Sequence, residues 1–375
     1  MTTVIEHPAY FTVLPREYYV SDEVFEREVD RIFLRQWLYA GHLSELSSRG
    51  DFRRYDIAGE SVVLVRGEGD TVHGFFNVCR HRGYAFCEQE AGNARRFVCP
   101  YHRWTYDLDG SLVAAPALRD GEVIDYADWG LHPVHVGVWH GLVFMCLSRE
   151  EPEPIADVLE RVAPELALAQ PERLKVAAEE AYAVEANWKL MLENYLECYH
   201  CPGSHPELCV TLDLRQQDID LQTARSGESE YNNGVPPLKS GTRTLSIDGE
   251  LVSMRLPVED GFNAGFSIQP CLSRVMLHAD HGVTHTIRPV DTRRLVWTTQ
   301  WLVHEDAREG RDYDVERLVK VWDATNREDI GLVEGAYRGV RSRRFQPGPL
   351  APTKEPALRA ALATYLRLMG EEGTA

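Results

Sequence analysis

NVCRHRGYAFCEQEAGNARRFVCPYHRWTYDLDG, residues Asn77–Gly110, is the stretch that decides how the rest of the chain is read. It holds Cys79-x-His81, seventeen intervening residues, and Cys99-x-x-His102. Each of two short loops therefore offers one thiolate and one imidazole. That set suits a two-iron, two-sulfide cluster in which the irons carry different ligands. Two ferric ions, two sulfides and two thiolates sum to zero charge, whereas four thiolates would leave the centre dianionic. An electron enters a neutral centre more easily, so such a site accepts electrons from a lower-potential donor. The competing reading is a Cys₂His₂ zinc site, but zinc fingers pair Cys with Cys and His with His. Cys87 is left over and reads as a lone buried thiol.

Working outward, Phe52–Ile57, Ser61–Val65 and Val72–Asn77 alternate between glycine-containing turns, as in a small all-β domain. That pattern runs to about Ser148, where EEPEPI (Glu150–Ile155) reads as a boundary. Before it, Asp22–Trp37 carries a helical stripe. Beyond it, Asn187–His200 predicts a helix capped by Asn187 and stopped by Pro202-Gly203. Strands follow at Val275–His278, Thr284–Ile287 and Leu295–Val303, with helices at about Tyr313–Tyr337 and Glu355–Met369. Strands followed by helices make the second domain α+β. Thr211–Gly265 has little period and reads as pocket-lining or mobile.

The 375 residues carry a net charge of −18, which argues against nucleic acid or an anionic membrane as partner. No window approaches eighteen apolar residues and the start has no signal-like run, so a cytoplasmic location is expected. In a reducing compartment the eight cysteines read as thiols or metal ligands rather than disulfides. Against the acidic background, Arg80, Arg82, Arg95, Arg96 and Arg103 form a basic collar around the Cys/His loops. Two readings stand: a dock for an acidic electron donor, or packing and neutralisation around the cluster.

NWKLMLENYLECYHCPGSHPEL, Asn187–Leu208, is the second informative stretch. His200 and His205 are five apart, so a continuous helix would not put them on one face, but Pro202 and Gly203 allow a loop to swing His205 back. Two imidazoles and one carboxylate on one side of Fe(II) leave positions open for O₂ and substrate. Cys198-x-x-Cys201 could be a redox or zinc motif, but its place late in a helix lowers neither thiol pKa. His278, His281 and His285 read as ordinary strand or pocket residues without a carboxylate partner at matching spacing.

CRHRG, CPYHRWTYDLDG and the downstream helix resemble the large subunits of Rieske non-haem iron oxygenases over most of the chain. The resemblance implies that Cys79, His81, Cys99 and His102 ligate a [2Fe–2S] cluster. It also implies that His200 and His205 hold a mononuclear Fe(II), completed by Asp329 in ATNREDIGLVEGAYRGVRSR (Ala324–Arg343). Glu328 should point about 100° away from Asp329 on a helix, and Asp323 is the reserve ligand. Glu197 matches the family's acidic bridge between the iron of one subunit and a cluster histidine of its neighbour, and Asn194 sits near the same site. Glu193, at helical spacing from Glu197 and His200, reads as part of an exposed stripe.

The resemblance further implies an N-terminal helical segment (1–40), a Rieske domain (41–155) and a helix-grip, START-like catalytic domain with a curved antiparallel sheet (156–375). It implies a homotrimer and a separate flavin- or ferredoxin-type reductase. NAD(P)H acts only through that reductase, since no G-x-G-x-x-G lies in a strand–helix setting here. ECYHCPGSHPEL and LPREYYV are most similar to the subgroup acting on quaternary ammonium compounds such as glycine betaine, choline, carnitine or stachydrine. Hydroxylating an N-methyl group there releases formaldehyde. Tyr231, Phe262, Phe266 and Trp301 are the candidates for an aromatic cage. An aromatic-ring hydroxylase or O-demethylase of the same architecture is the alternative. A Rieske electron carrier fused to a ligand-binding domain, without oxygenase activity, is the reading from a different class.

Overall fold

Runs of β-branched and aromatic residues between glycine turns fold into short antiparallel strands. The computed structural model describes residues 11–371 apart from 70, 119–120, 216–230, 233–234 and 271–272; for residues 231–232 it describes the backbone. The chain forms two compact units: Leu34–Val158, and a second built from Met1–Phe33 with Leu159–Ala375.

The smaller unit is all-β. β1 (Leu38–His42), β2 (Asp51–Ile57), β3 (Glu60–Arg66), β4 (Val72–Phe76), β5 (Ala91–Asn93), β9 (Pro133–Trp139) and β10 (Leu142–Cys146) form a sheet in the order β1-β10-β9-β4-β3-β2-β5. β6 (Phe97–Val98), β7 (Thr105–Tyr106) and β8 (Leu112–Ala114) form a small second sheet. Aromatic rings fill the space behind the Cys/His loops: Phe97 packs on Phe52 and Phe86, and Trp104 on Trp129. The turn Asp107–Gly110 closes β7 onto β8. Gly110 has φ +83°, and a Cβ there would stand 2.3 Å from the Phe75 ring, so no larger residue fits.

The larger unit carries a curved antiparallel sheet in the order β11-β16-β15-β14-β13-β12. Its strands are β11 (Leu174–Val184), β12 (Tyr231–Asn232), β13 (Asn263–Ile268), β14 (Ser273–His278), β15 (Gly282–Asp291) and β16 (Arg294–His304). The long helix Val315–Val340 and the short helix Trp188–Tyr195 pack against it. Asn187 caps the short helix by accepting from Lys189 N at 3.1 Å, as its sequence position predicts. The helix that begins at Asp22 ends at Glu28 and runs into a π turn, Val29–Phe33.

A buried charge cluster ties distant segments to the base of the short helix. Lys189 Nζ lies 2.5 Å from Glu28, and Glu28 also accepts from Trp188 Nε1 at 2.7 Å and Tyr365 OH at 2.6 Å. Both charges are out of water, so removing either partner alone would cost about 3–5 kcal/mol. Among the described residues no helix is long and apolar enough to cross a membrane.

Candidate metal centres

The two Cys/His loops are built alike. Cys79 N donates to Tyr84 O and Gly83 N to Cys79 O; Cys99 N donates to Trp104 O and Arg103 N to Cys99 O. The residue four after each cysteine is left-handed, Gly83 at φ +72° and Arg103 at +63°. The two turns bring their histidines together: the His81 and His102 rings stand 4.4 Å apart, edge to face, and His81 stacks on Trp104. Cys79 and Cys99 are buried. Burial, then the neighbouring Cys79, pushes the Cys99 thiol up, while burial and His81 lower His102. His81 Nδ1 is buried without a hydrogen bond among the described residues. Two adjacent sulfurs, two adjacent imidazoles and an orphaned ring nitrogen fit a shared cluster. Cys87 is a free, buried thiol.

The collar arginines are partly committed within this unit. Arg80 donates to Gly130 O at 2.6 Å and lies over Trp129, Arg82 lies over Tyr101, and Arg96 faces Asp107 at 3.5 Å.

In the larger unit His200, His205 and Asp329 come together. The two Nε2 atoms are 3.0 Å apart, and Asp329 Oδ1 lies 3.2 Å from that of His200 and 3.0 Å from that of His205. Yet Asp329 Oδ1 is buried and accepts no aligned hydrogen bond. The reason lies on the far side of each ring. His200 Nδ1 is 2.6 Å from Glu197 Oε1, and His205 Nδ1 is 2.7 Å from Glu328 Oε2. Each carboxylate requires a proton on Nδ1, which turns the Nε2 lone pairs toward Asp329. Two lone pairs and a carboxylate oxygen aimed at one point fit a divalent cation. Burial would lower His200, but the charges of Asp329 and Glu197 lift it to about 9, so a cation bound there would displace a proton to reach the Nε2 lone pair; burial would raise Asp329, but His200 and His205 hold it below the usual range. Asn194 Nδ2 lies 3.4 Å from His200 Nε2.

The structure departs from several expectations. The helix starting at Trp188 ends at Tyr195, not His200. Glu197 Oε2 takes the N–H groups of Tyr199 and His200, so the side chain competes for backbone donors and a new turn begins. Glu193, Glu197 and His200 therefore share no helix face. Glu193 is buried and accepts from Tyr19 OH at 2.6 Å, so it belongs to no exposed stripe. Glu328 does reach the site, because an imidazole presents two edges and adjacent helix residues can each take one. The reserve ligand Asp323 instead binds Tyr182 OH and Arg327.

Two cysteines are neither thiols nor ligands: Cys198 and Cys201 form a disulfide, their Cα atoms 4.9 Å apart across the turn that follows the shortened helix. His281 does have a carboxylate, Asp280 at 2.8 Å. Of the cage candidates, Trp301 lies in the core with Met276, Val283 and Trp322, and the Tyr231 side chain lies outside the described residues. Tyr195, Trp297 and Trp322, which sequence reasoning passed over, surround His285.

A family model described as "Rieske [2Fe-2S] domain" matches residues 36–128, and one described as "Ring hydroxylating alpha subunit (catalytic domain)" matches residues 171–371. The chain belongs to the ring-hydroxylating alpha subunits: it is an oxygenase that uses a Rieske cluster and a mononuclear iron, with electrons supplied by a separate reductase. Among its relatives is the glycine betaine monooxygenase oxygenase subunit of Pseudomonas aeruginosa (strain UCBPP-PA14), 37% identical over 96% of this chain and 90% of that one. The carnitine monooxygenase oxygenase subunit of Escherichia coli (strain K12) is 35% identical over 91% and 87%. A crystal structure of a quaternary ammonium Rieske monooxygenase in complex with substrate L-carnitine superposes with a TM-score of 0.73 at 26% identity, covering 96% of both chains.

Proposed function

We propose that this oxygenase removes an N-methyl group from a quaternary ammonium compound. The substrate's methyl C–H gains one oxygen atom of O₂, and the other atom leaves as water with two electrons and two protons. The resulting N-hydroxymethyl group breaks its C–N bond to give formaldehyde, a tertiary amine and a proton. One observation carries the substrate class: relatives aligned over nearly the whole chain include glycine betaine and carnitine monooxygenase oxygenase subunits.

In this reading Cys79, His81, Cys99 and His102 hold the cluster, and His200, His205 and Asp329 hold the iron. When bound, the cluster supplies single electrons and the iron supplies oxygen activation. The chain's own residues supply geometry. Glu197 and Glu328 fix the ring planes and tautomers of the two histidines, and the buried setting of His205 and Asp329 excludes water. In a homotrimer Glu197, in contact with His200, would be the carboxylate that bridges to a cluster histidine of a neighbouring subunit. The test is turnover of the reductase-coupled holoenzyme with glycine betaine, carnitine and aromatic substrates. One formaldehyde per O₂ from an ammonium substrate supports the reading, and product from aromatic substrates alone overturns it. Light scattering of the holoenzyme checks for three subunits.

A further inference from the structure

Four residues on neighbouring strands of the larger unit's sheet fall in one register row. Ser267 on β13 is opposite Arg274 on β14, Arg274 opposite His285 on β15, and His285 opposite Thr299 on β16. Residues opposite one another project from the same face of a sheet. Ser267, His285 and Thr299 are 0% exposed and Arg274 is 6% exposed. A polar row inside a protein is costly unless its groups find partners.

The hydrogen bonds define what this row offers. Asn326 Nδ2 donates to Thr299 Oγ1 at 2.9 Å, which leaves the Thr299 hydroxyl proton for His285 Nδ1, also 2.9 Å away. Burial first, and the charge of Arg274 second, hold His285 down to about 3, so its ring is neutral. A neutral imidazole that accepts at Nδ1 carries its proton on Nε2. With Nδ1 accepting, that buried Nε2–H has no partner among the described residues, and neither has Ser267 Oγ. Arg274, between them in the register, brings a permanent positive charge.

The row faces the iron site's own helix. Asn326 stands one turn before Asp329, and the charge of Asp329 acts on both His285 and Tyr195. Arg274 lies 5.4 Å from the Tyr195 ring centroid. The rings of Tyr195, Trp297 and Trp322 thus adjoin His285, and Tyr195 also adjoins the Arg274 guanidinium, so aromatic surface stands beside donor groups, the complement of a cation and an anion in one small molecule.

We propose that Ser267, Arg274 and His285 form an anion subsite that takes the carboxylate of the substrate. The oxygenase is then selective for zwitterionic ammonium carboxylates over cationic alcohols such as choline. The ammonium half of this statement rests on the function proposed above; the carboxylate half does not.

Calorimetric titration of the oxidised holoenzyme, without turnover, tests it with three probes: glycine betaine, choline, and 3,3-dimethylbutyrate, a carboxylate whose tert-butyl group is uncharged. Wild type should bind glycine betaine at least about 10-fold tighter than choline. Arg274→Gln should weaken both carboxylates on the order of 10- to 100-fold and choline by less than about 3-fold, with Arg274→Lys recovering part of the loss. Ser267→Ala, a change small enough to fold where Arg274→Gln does not, should cost the carboxylates about 3- to 10-fold. Equal binding of choline and glycine betaine, unchanged carboxylate binding in both variants, or no carboxylate binding at all overturns the subsite. Formaldehyde assays run alongside keep the two ideas apart. Arg274-dependent binding without formaldehyde would sink the demethylase reading and leave the subsite standing. Formaldehyde from choline and glycine betaine at equal kcat/KM would do the reverse.

Discussion

The two candidate metal centres of this chain are held in opposite ways. The Cys/His loops use local backbone turns, repeated with the same hydrogen bonds, to present their ligands within four residues of each other. His81 and His102 are half-exposed and stand beside exposed Arg82, Tyr84, Tyr101 and Arg103. The His200–His205–Asp329 site draws on two segments more than a hundred residues apart, and the His205 side chain is only 1% exposed. Its ligands are oriented by carboxylates rather than by backbone. An entry point for electrons needs a surface, whereas oxygen chemistry needs a dry, preorganised interior. The largest expected effects separate the two. Asp329→Asn should bring oxygenation to background while the cluster's EPR signal persists and iron falls from three to two per chain. Cys99→Ser should abolish both the signal and turnover. Loss of the cluster signal in Asp329→Asn would show the centres are not independent.

The same contrast governs how much could be read from residues alone. Residues that share a loop announce themselves by spacing, so the two Cys/His loops and the His200–His205 pair that the structure brings together were legible, as were the all-β and α+β patterns. Asp329 came through resemblance, because nothing local connects it to His205. Glu328 was passed over because helical angles locate Cα directions and say nothing of a ring that can be gripped on two edges. The early end of the helix at Tyr195 depends on one side chain, Glu197, taking backbone N–H groups. Glu28, Lys189 and Glu193 look like surface charges in sequence. Their partners lie across the chain, and only tertiary packing reveals them.

That buried charge gives the next contrast. The cluster unit packs rings behind its loops, while the iron unit sets ionisable groups under its short helix. Burial raises Glu193 to about 7 from an ordinary 4.5, with Tyr19 and Lys189 opposing. A carboxyl raised on folding favours the native state when protonated. Its contribution is therefore complete below about pH 4.5 and is lost as pH climbs through 7. Glu193→Gln should be more stable than wild type at pH 8 by up to about 3 kcal/mol, and near parity at pH 4.5. Urea denaturation at the two pH values measures this. A constant difference between them would mean that Glu193 does not titrate in that range.

Within the iron site the two orienting carboxylates can be ranked. Each replaced by Gln should weaken iron binding about 10- to 100-fold, read by chelator competition with the cluster signal as internal standard. Glu197→Gln should sit at the upper end, since Glu197 also holds two backbone N–H groups and its side chain is 14% exposed against 35% for Glu328. Equal losses would assign both residues to ring orientation alone.

The smallest effect probes whether the cluster side is purely a matter of backbone. Tyr106 OH stands 3.3 Å from Cys79 Sγ and accepts from Arg80 N at 3.1 Å. With its lone pair engaged by that N–H, the phenol proton is free to point at the sulfur, and a cluster-bound thiolate can only accept. Such a bond favours the reduced, more negative cluster. Tyr106→Phe removes the donor and leaves the ring packed against Phe86. The reduction potential should therefore fall on the order of 50 mV, about 1 kcal/mol for one electron, with iron content unchanged. An unshifted potential would mean that this sulfur takes nothing from Tyr106, and that backbone turns alone tune the electron-entry centre.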